Sequence, residues 1–165
     1  MLHKMGIAGI AMDPASKTPI ILLKSEEDDQ VVPIWIGLLE ATSIASAMKN
    51  IKFDRPMTHD LFKNFADRLK ITVSRIEVSD IKDNTYYAVI HFASPEGSFI
   101  MDARPSDAIA IALRYDAPEF VDDKVIAQSQ AIGPDMELGD KSEEGQKWAD
   151  YLKNLSPDDF GKYKV

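Results

Sequence analysis

Ile71-Thr72-Val73-Ser74-Arg75-Ile76-Glu77-Val78-Ser79, Thr85-Tyr86-Tyr87-Ala88-Val89-Ile90-His91-Phe92-Ala93 and Ser98-Phe99-Ile100-Met101-Asp102 are three apolar-rich runs parted by Asp83-Asn84 and Pro95-Glu96-Gly97. β-Branched and aromatic residues dominate the runs, and the separators are residues that accept tight reversals. The stretch therefore predicts an antiparallel meander with strands over 71–79, 85–93 and 98–102. Ile71 and Val73 alternate with polar neighbours, but the alternation slips before Ile76 and Val78, which predicts a bulge.

Helical spacing flanks this meander on both sides. Upstream, Leu61, Phe62, Phe65, Ala66 and Leu69 recur on one face of a helix from Thr58 to about Lys70. Downstream, Ser106 to Tyr115 is apolar almost all round, which predicts a central, buried helix. Further upstream, residues 4–12, 19–24 and Val31–Ile36 read as strands, the first two joined by the turn-rich Asp13-Pro14-Ala15-Ser16. Ile20-Ile21-Leu22-Leu23 reads as a strand buried on both faces, and Glu26-Glu27-Asp28-Asp29 as a solvated turn. Trp35 is expected in the core. Gly37 ends the third strand, after which Leu38, Ala41, Ile44, Ala45 and Met48 mark another helix. Strands grouped with helices, rather than a regular alternation, predict an α+β fold: a mixed, largely antiparallel sheet packed with two or three helices.

Residues 1–132 are expected to form this domain and 133–165 a linker with a short C-terminal helical appendage. Beyond Gly133-Pro134, Ser142 can cap a helix whose stripe is Trp148, Tyr151, Leu152 and Leu155, and Ser156-Pro157-Asp158-Asp159 reads as a second helix start. So short a helix is marginal alone, so the stripe needs a surface. Either the chain's own domain or a partner subunit would supply it, hence the expectation of a homo-oligomer.

The chain has 165 residues, 45% hydrophobic and 28% charged, enough for one domain with a real core. It has no cysteine, which removes disulfides and thiolate metal sites. No run approaches membrane-spanning length and the N-terminal stretch is too short and too interrupted for a secretory core, so a cytoplasmic protein is expected. The net charge of −8 argues against a broad basic footprint on nucleic acid, since such binding rests on Lys and Arg at phosphates. Any nucleic-acid contact would be weak and local, or bridged by a metal. Aromatic residues make up 8% and are not interleaved with basic ones, so no stacking platform is expected for single strands. There is no Gly-rich phosphate loop, His-Glu-x-x-His or nucleophile elbow.

Two short segments carry the chemistry: Arg55-Pro56-Met57-Thr58-His59-Asp60-Leu61 and Asp102-Ala103-Arg104-Pro105-Ser106-Asp107-Ala108. Each sets Arg-Pro ahead of a hydroxyl residue, an Asp and an apolar helical run. Proline suits the first helical turn, Ser or Thr can cap its amides, and an arginine beside a helix start offers a fork for phosphate or carboxylate. With Val32-Pro33-Ile34-Trp35-Ile36-Gly37, Glu40-Ala41, the extension Ile109-Ala110 and Ala117-Pro118-Glu119-Phe120-Val121, these segments resemble the bifunctional nuclease family over roughly residues 5–130. That family comprises bacterial and plant proteins described as acting on DNA and RNA. The resemblance implies a nuclease with DNA or RNA as substrate and little sequence preference.

Phosphodiester hydrolysis needs an activated water, charge neutralisation and help for the leaving oxygen. Asp60, Asp102 and Asp107 are the candidate carboxylates and the candidate ligands of a divalent cation, Mg²⁺ or Mn²⁺, with Glu40 a more distant fourth. Arg55 and Arg104 are candidate phosphate clamps, joined by Ser106. His59, the only histidine inside a family motif, is the candidate general acid or base. His3 and His91 are expected to be structural. The rival reading is a non-catalytic anion-binding or regulatory module on the same fold. In it Asp60 and Asp107 serve the helix dipoles, Thr58 and Ser106 are plain N-caps, and the arginines pair with Asp102 and Asp107 in a buried network.

Overall fold

The computed structural model describes residues 1–131 and 142–156. Its strands are β1 (Leu2–Met12), β2 (Pro19–Ser25), β3 (Val31–Trp35), β4 (Thr72–Lys82), β5 (Thr85–Ser94), β6 (Gly97–Ala103) and β7 (Glu119–Asp122). Its helices are α1 (Leu38–Met48), α2 (Thr58–Arg68), α3 (Pro105–Tyr115), α4 (Asp123–Ala131) and α5 (Glu143–Lys153). The strands form one mixed sheet in the order β3-β2-β1-β7-β4-β5-β6. Only β4 and β7 run parallel; every other neighbouring pair is antiparallel. This is the α+β architecture that the meander implied.

The meander forms as its turn residues require. Asp83 and Asn84 both take positive φ (48° and 59°), the combination that lets a two-residue turn match the twist of its flanking strands. Gly97, at φ 135°, opens β6 in a conformation that a side chain would strain. The register slips between Val73 and Arg75, where the alternation broke, and again between Val78 and Asp80.

Two elements escape a reading of periodicity. β7 has four residues, Glu119-Phe120-Val121-Asp122, with an acid at each end, yet it lies at the middle of the sheet between β1 and β4. α4 buries Val125, Ile126 and Ser129 and is otherwise made of polar residues and alanine, so its amphipathic signal is weak. α4 packs against both β3 and β4, the first and fifth strands of the sheet. The Tyr86 hydroxyl on β5 also donates to the Pro33 carbonyl on β3 at 2.8 Å. The twisted sheet therefore curls until the β3 edge approaches β5.

α3 packs on β4, β5, α1 and α2, and its Ala108 to Ala112 run is buried, as its all-round apolar character requires. Full burial of Ile109 alone contributes about 1.5–3 kcal/mol. α5 docks on β1 and α1, burying Leu152 in the main core, and Leu155 just beyond its C-terminus is buried there too. Ser142 caps it, accepting from the Gly145 amide at 3.2 Å. The surface its stripe needs is thus the chain's own body. Trp148 and Tyr151 meet edge to face with ring centroids 5.6 Å apart. The second C-terminal helix start lies, from residue 157 onward, outside the described residues. Among the described residues no helix is long and apolar enough to cross a membrane.

Trp35 is half-buried rather than core: its indole N–H leaves the sheet to donate to Asp13 Oδ2 at 2.9 Å. Asp13 also accepts from the Ala15 amide and the Ser16 hydroxyl, so the β1–β2 turn and the end of β3 share one anchor. His3 pairs with Asp123 at the start of α4. His91 Nε2 lies 2.8 Å from Glu77 Oε1, without the alignment of a hydrogen bond.

Candidate active site

The two Arg-Pro segments start helices that meet, but the caps differ from the expectation. In α3, Pro105 takes the first helical position, so Arg104 becomes the extended N-cap residue (φ −66°, ψ 143°). Ser106 is then one residue inside the helix and buried, and does not cap. In α2, Met57 holds the N-cap position, and Thr58 is already helical. The capping bond comes from Asp60, whose Oδ2 accepts from the Met57 amide at 3.0 Å.

Because Arg104 sits at the cap, its guanidinium folds back over the first turn. Nε donates to Asp107 Oδ2 at 2.8 Å and Nη2 to Asp107 Oδ1 at 3.2 Å, a forked pairing. Nη1 donates to Glu40 Oε1 on α1 at 3.0 Å. Asp107 Oδ1 also meets His59 Nε2 from α2 at 3.0 Å. The other imidazole nitrogen, Nδ1, lies 2.8 Å from the Ser43 hydroxyl, one turn along α1 from Glu40. Three helices thus converge on a chain of contacts: Ser43, His59, Asp107, Arg104, Glu40.

Burial works against the Asp107 charge, but the hydrogen bonds from Arg104 and His59 outweigh it and hold the carboxyl below its ordinary range. The bond to Asp107, opposed in part by desolvation, holds the Arg104 guanidinium above its own. At neutral pH the pair is fully ionised. The Arg104 side chain remains 65% exposed, so the network is not a buried one, and N–H groups on its fork remain for a ligand. His59 is only 16% exposed. The cluster lies at the boundary of two clefts that share Glu40 and Arg104. A cleft of about 330 Å³ is lined by Ser43, His59 and Asp107, and one of about 530 Å³ by Trp35, Tyr86 and Ser106.

Asp60 and Asp102 stand elsewhere. Asp60 Oδ1 accepts from Arg114 Nε at 2.6 Å. Arg114, 7% exposed, also donates to the Ala110 carbonyl at 2.8 Å and to Ser43 Oγ at 3.3 Å. Asp60 therefore reaches the cluster only through Arg114. Asp102 pairs across the sheet with Val89, whereas Met101 and Ala103 pair with Ile90 and Ala88 in the core. Alternation then turns Asp102 to the opposite face from the helices. Arg55 is exposed in the loop before α2. The fold gathers Arg104, His59, Asp107 and Glu40, places Ser106 in the adjoining cleft, and leaves Arg55 and Asp102 apart. Among the described residues no three His, Asp or Glu side chains are arranged to hold a metal ion. Asp60, Asp102 and Asp107 do not form a common cradle.

Sequence reasoning missed Ser43 and Arg114. Arg114 was visible as a lone charge directly after the apolar Ala108 to Leu113 run, a pattern that asks for a buried partner. Ser43 had no comparable signal within the Leu38–Met48 helix.

A model of the bifunctional nuclease domain family matches residues 21–133. An uncharacterized protein of Mycobacterium tuberculosis is 33% identical over 164 residues, covering 96% of this chain and 98% of that relative. The protein named bifunctional nuclease 1 of Arabidopsis thaliana is 30% identical over 119 residues, covering 69% of this chain and 36% of its own. Its namesake in Oryza sativa subsp. japonica is 26% identical over 116 residues, 68% of this chain and 35% of that one. The chain spans about a third of these plant proteins. The extent of the family match and the full-length likeness to the mycobacterial relative agree with the motifs around Arg55 and Arg104: the chain belongs to the bifunctional nuclease domain family.

Proposed function

We propose that this protein is a cytoplasmic nuclease that hydrolyses phosphodiester bonds of DNA or RNA with little sequence preference, in the clefts between α1, α2 and α3. The observation that carries this is the His59 imidazole, held between Ser43 and Asp107 beside the accessible fork of Arg104. An imidazole fixed at both nitrogens is poised to move a proton, and a guanidinium with spare N–H groups neutralises a phosphate. The wider cleft, with Trp35 and Tyr86, offers aromatic surface to a base next to that phosphate. Contacts made to phosphate and to base faces carry little sequence information. The acidic chain keeps such contact local.

The test is cleavage of labelled oligonucleotides by wild type, His59→Asn and Arg104→Ala from parallel purifications. Each substitution is expected to lower the rate at least about a hundredfold. Unchanged rates in folded variants would refute this placement of the site. The same assay in EDTA, Mg²⁺ or Mn²⁺ reads the proposed divalent assistance: cleavage lost in EDTA and restored by metal supports it, and cleavage indifferent to both removes it. The rival reading is a non-catalytic anion-binding or regulatory module, in which the pairing of Arg104 with Asp107 and Glu40 serves the fold; oligonucleotide binding without any cleavage would select it. A homo-oligomer belongs to the same proposal. The exposed Phe99, Ile100 and Met101 of edge strand β6 are where a second copy would pair, and sedimentation velocity would show only monomer if that is wrong.

A further inference from the structure

Ser43, His59 and Asp107 form a hydroxyl–imidazole–carboxylate array, and we infer that Ser43 is a nucleophile that forms a covalent seryl–phosphate intermediate. This deepens the nuclease reading and rests on it for the identity of the substrate. Ser43 Oγ lies 2.8 Å from His59 Nδ1, and His59 Nε2 lies 3.0 Å from Asp107 Oδ1. Asp107 is ionised and can only accept, so it selects the tautomer that carries its proton on Nε2. That leaves Nδ1 as an acceptor aimed at the Ser43 hydroxyl. Nucleophile, base and orienting carboxylate are thus in hydrogen-bond reach in sequence. The imidazole is reversed relative to the familiar serine hydrolases, with Nδ1 to the hydroxyl and Nε2 to the acid. The roles need only that the two nitrogens face opposite partners.

Two arginines complete the array and point to a phosphoryl substrate. Arg114 donates to Ser43 Oγ at 3.3 Å and to the Ser43 carbonyl at 3.5 Å, so a buried positive charge stands beside the oxygen that would become an alkoxide. Asp60, bonded to Arg114 Nε, fixes that guanidinium and is a positioning residue. Arg104 lines the same cleft as Ser43, and its spare N–H groups suit the anionic oxygens of a phosphodiester better than a neutral ester.

The steps balance without an external oxidant or reductant. Ser43 Oγ attacks phosphorus as its proton passes to His59 Nδ1. The bond from phosphorus to the leaving strand's oxygen breaks, and that oxygen takes the proton from Nδ1. Water then attacks the seryl phosphodiester, giving its proton to Nδ1. The bond from phosphorus to Oγ breaks, Oγ recovers the proton, and one product carries a phosphomonoester end.

The test is labelling of the full chain with a fluorophosphonate, a probe that reports a nucleophilic serine independently of nuclease activity. It is paired with oligonucleotide cleavage by the same preparations. Adduct on the peptide bearing Ser43, absent in Ser43→Ala and slowed at least about a hundredfold in Asp107→Asn, is the expected result. Chemical denaturation confirms that each variant is folded, and Ser43→Cys, which keeps a nucleophile of similar size, guards against a purely structural loss. Adduct at Ser43 without cleavage would keep the nucleophile and overturn the nuclease reading. Cleavage by folded Ser43→Ala at the wild-type rate, with no adduct on wild type, would overturn the nucleophile and leave the nuclease reading standing. Neither adduct nor cleavage would overturn both.

Discussion

Replacing Glu119 with Gln should make this protein more stable at neutral pH and leave it unchanged in mild acid. Glu119 sits on the central strand β7, opposite Met5 on β1 and Ile76 on β4, both buried. It is only 6% exposed, and its Oε2 has no hydrogen-bond partner among the described residues. Burial without compensation disfavours the carboxylate and pushes the group from 4.5 up to about 7. The unfolded chain therefore releases this proton near pH 4.5, whereas the folded protein keeps it until about 7. Through that window the folded state binds more protons, so stability falls as pH rises. The stabilisation is complete below the unfolded value and lost once pH passes the folded one. The interval corresponds to about 3 kcal/mol at roughly 1.4 kcal/mol per unit. Glutamine keeps the shape and does not titrate. Urea unfolding of wild type and Glu119→Gln across this pH range should show a stability difference that grows by about 3 kcal/mol in favour of the variant and then levels off. A difference independent of pH, or one of opposite slope, would refute the reasoning and mean that the folded protein solvates this carboxylate.

Three further outcomes follow from the packing. Arg114→Met should destabilise the fold by about 2–4 kcal/mol, because it strips the Asp60 carboxylate of its partner and frees the Ser43 hydroxyl and carbonyl. A loss below about 0.5 kcal/mol in urea would show that the pairing is not formed. Asp107 is held below its ordinary range, so its contribution is present above pH 3.8 and lost as pH falls through its folded value. Asp107→Asn should accordingly flatten the acid limb of a stability profile, and an unchanged limb would count against the forked pairing with Arg104. Val121→Ala, at a fully buried position on β7, should cost about 2 kcal/mol by thermal or chemical unfolding, against nearly nothing if the strand were peripheral.

Different parts of the molecule were legible in the sequence for different reasons. The strands of the meander, α2 and α3 announce themselves through alternation, helical spacing and local turn chemistry, all properties of neighbouring residues. The Asp83-Asn84 reversal even shows in the backbone angles it adopts. The candidate site was half legible. Arg104, Asp107 and His59 stood out because each lies at a helix start with its own local signature. That Asp102 faces away from them follows from strand parity, and that Asp60 serves Arg114 follows from how α2 lies on α3. Neither arrangement is a property of a short segment.

By itself the sequence determined the α+β class, the order of most elements and the two Arg-Pro helix starts, because local backbone preference and periodic apolarity do not depend on distant residues; the family was legible separately, in the likeness of its motifs to known relatives. Only the tertiary structure decided that β7 sits at the centre of the sheet, that the sheet curls to bring β3 toward β5, and that Ser43 meets His59. Those depend on which surfaces bury each other, and β7 in particular takes its place from backbone pairing with β1 and β4 rather than from its own four residues.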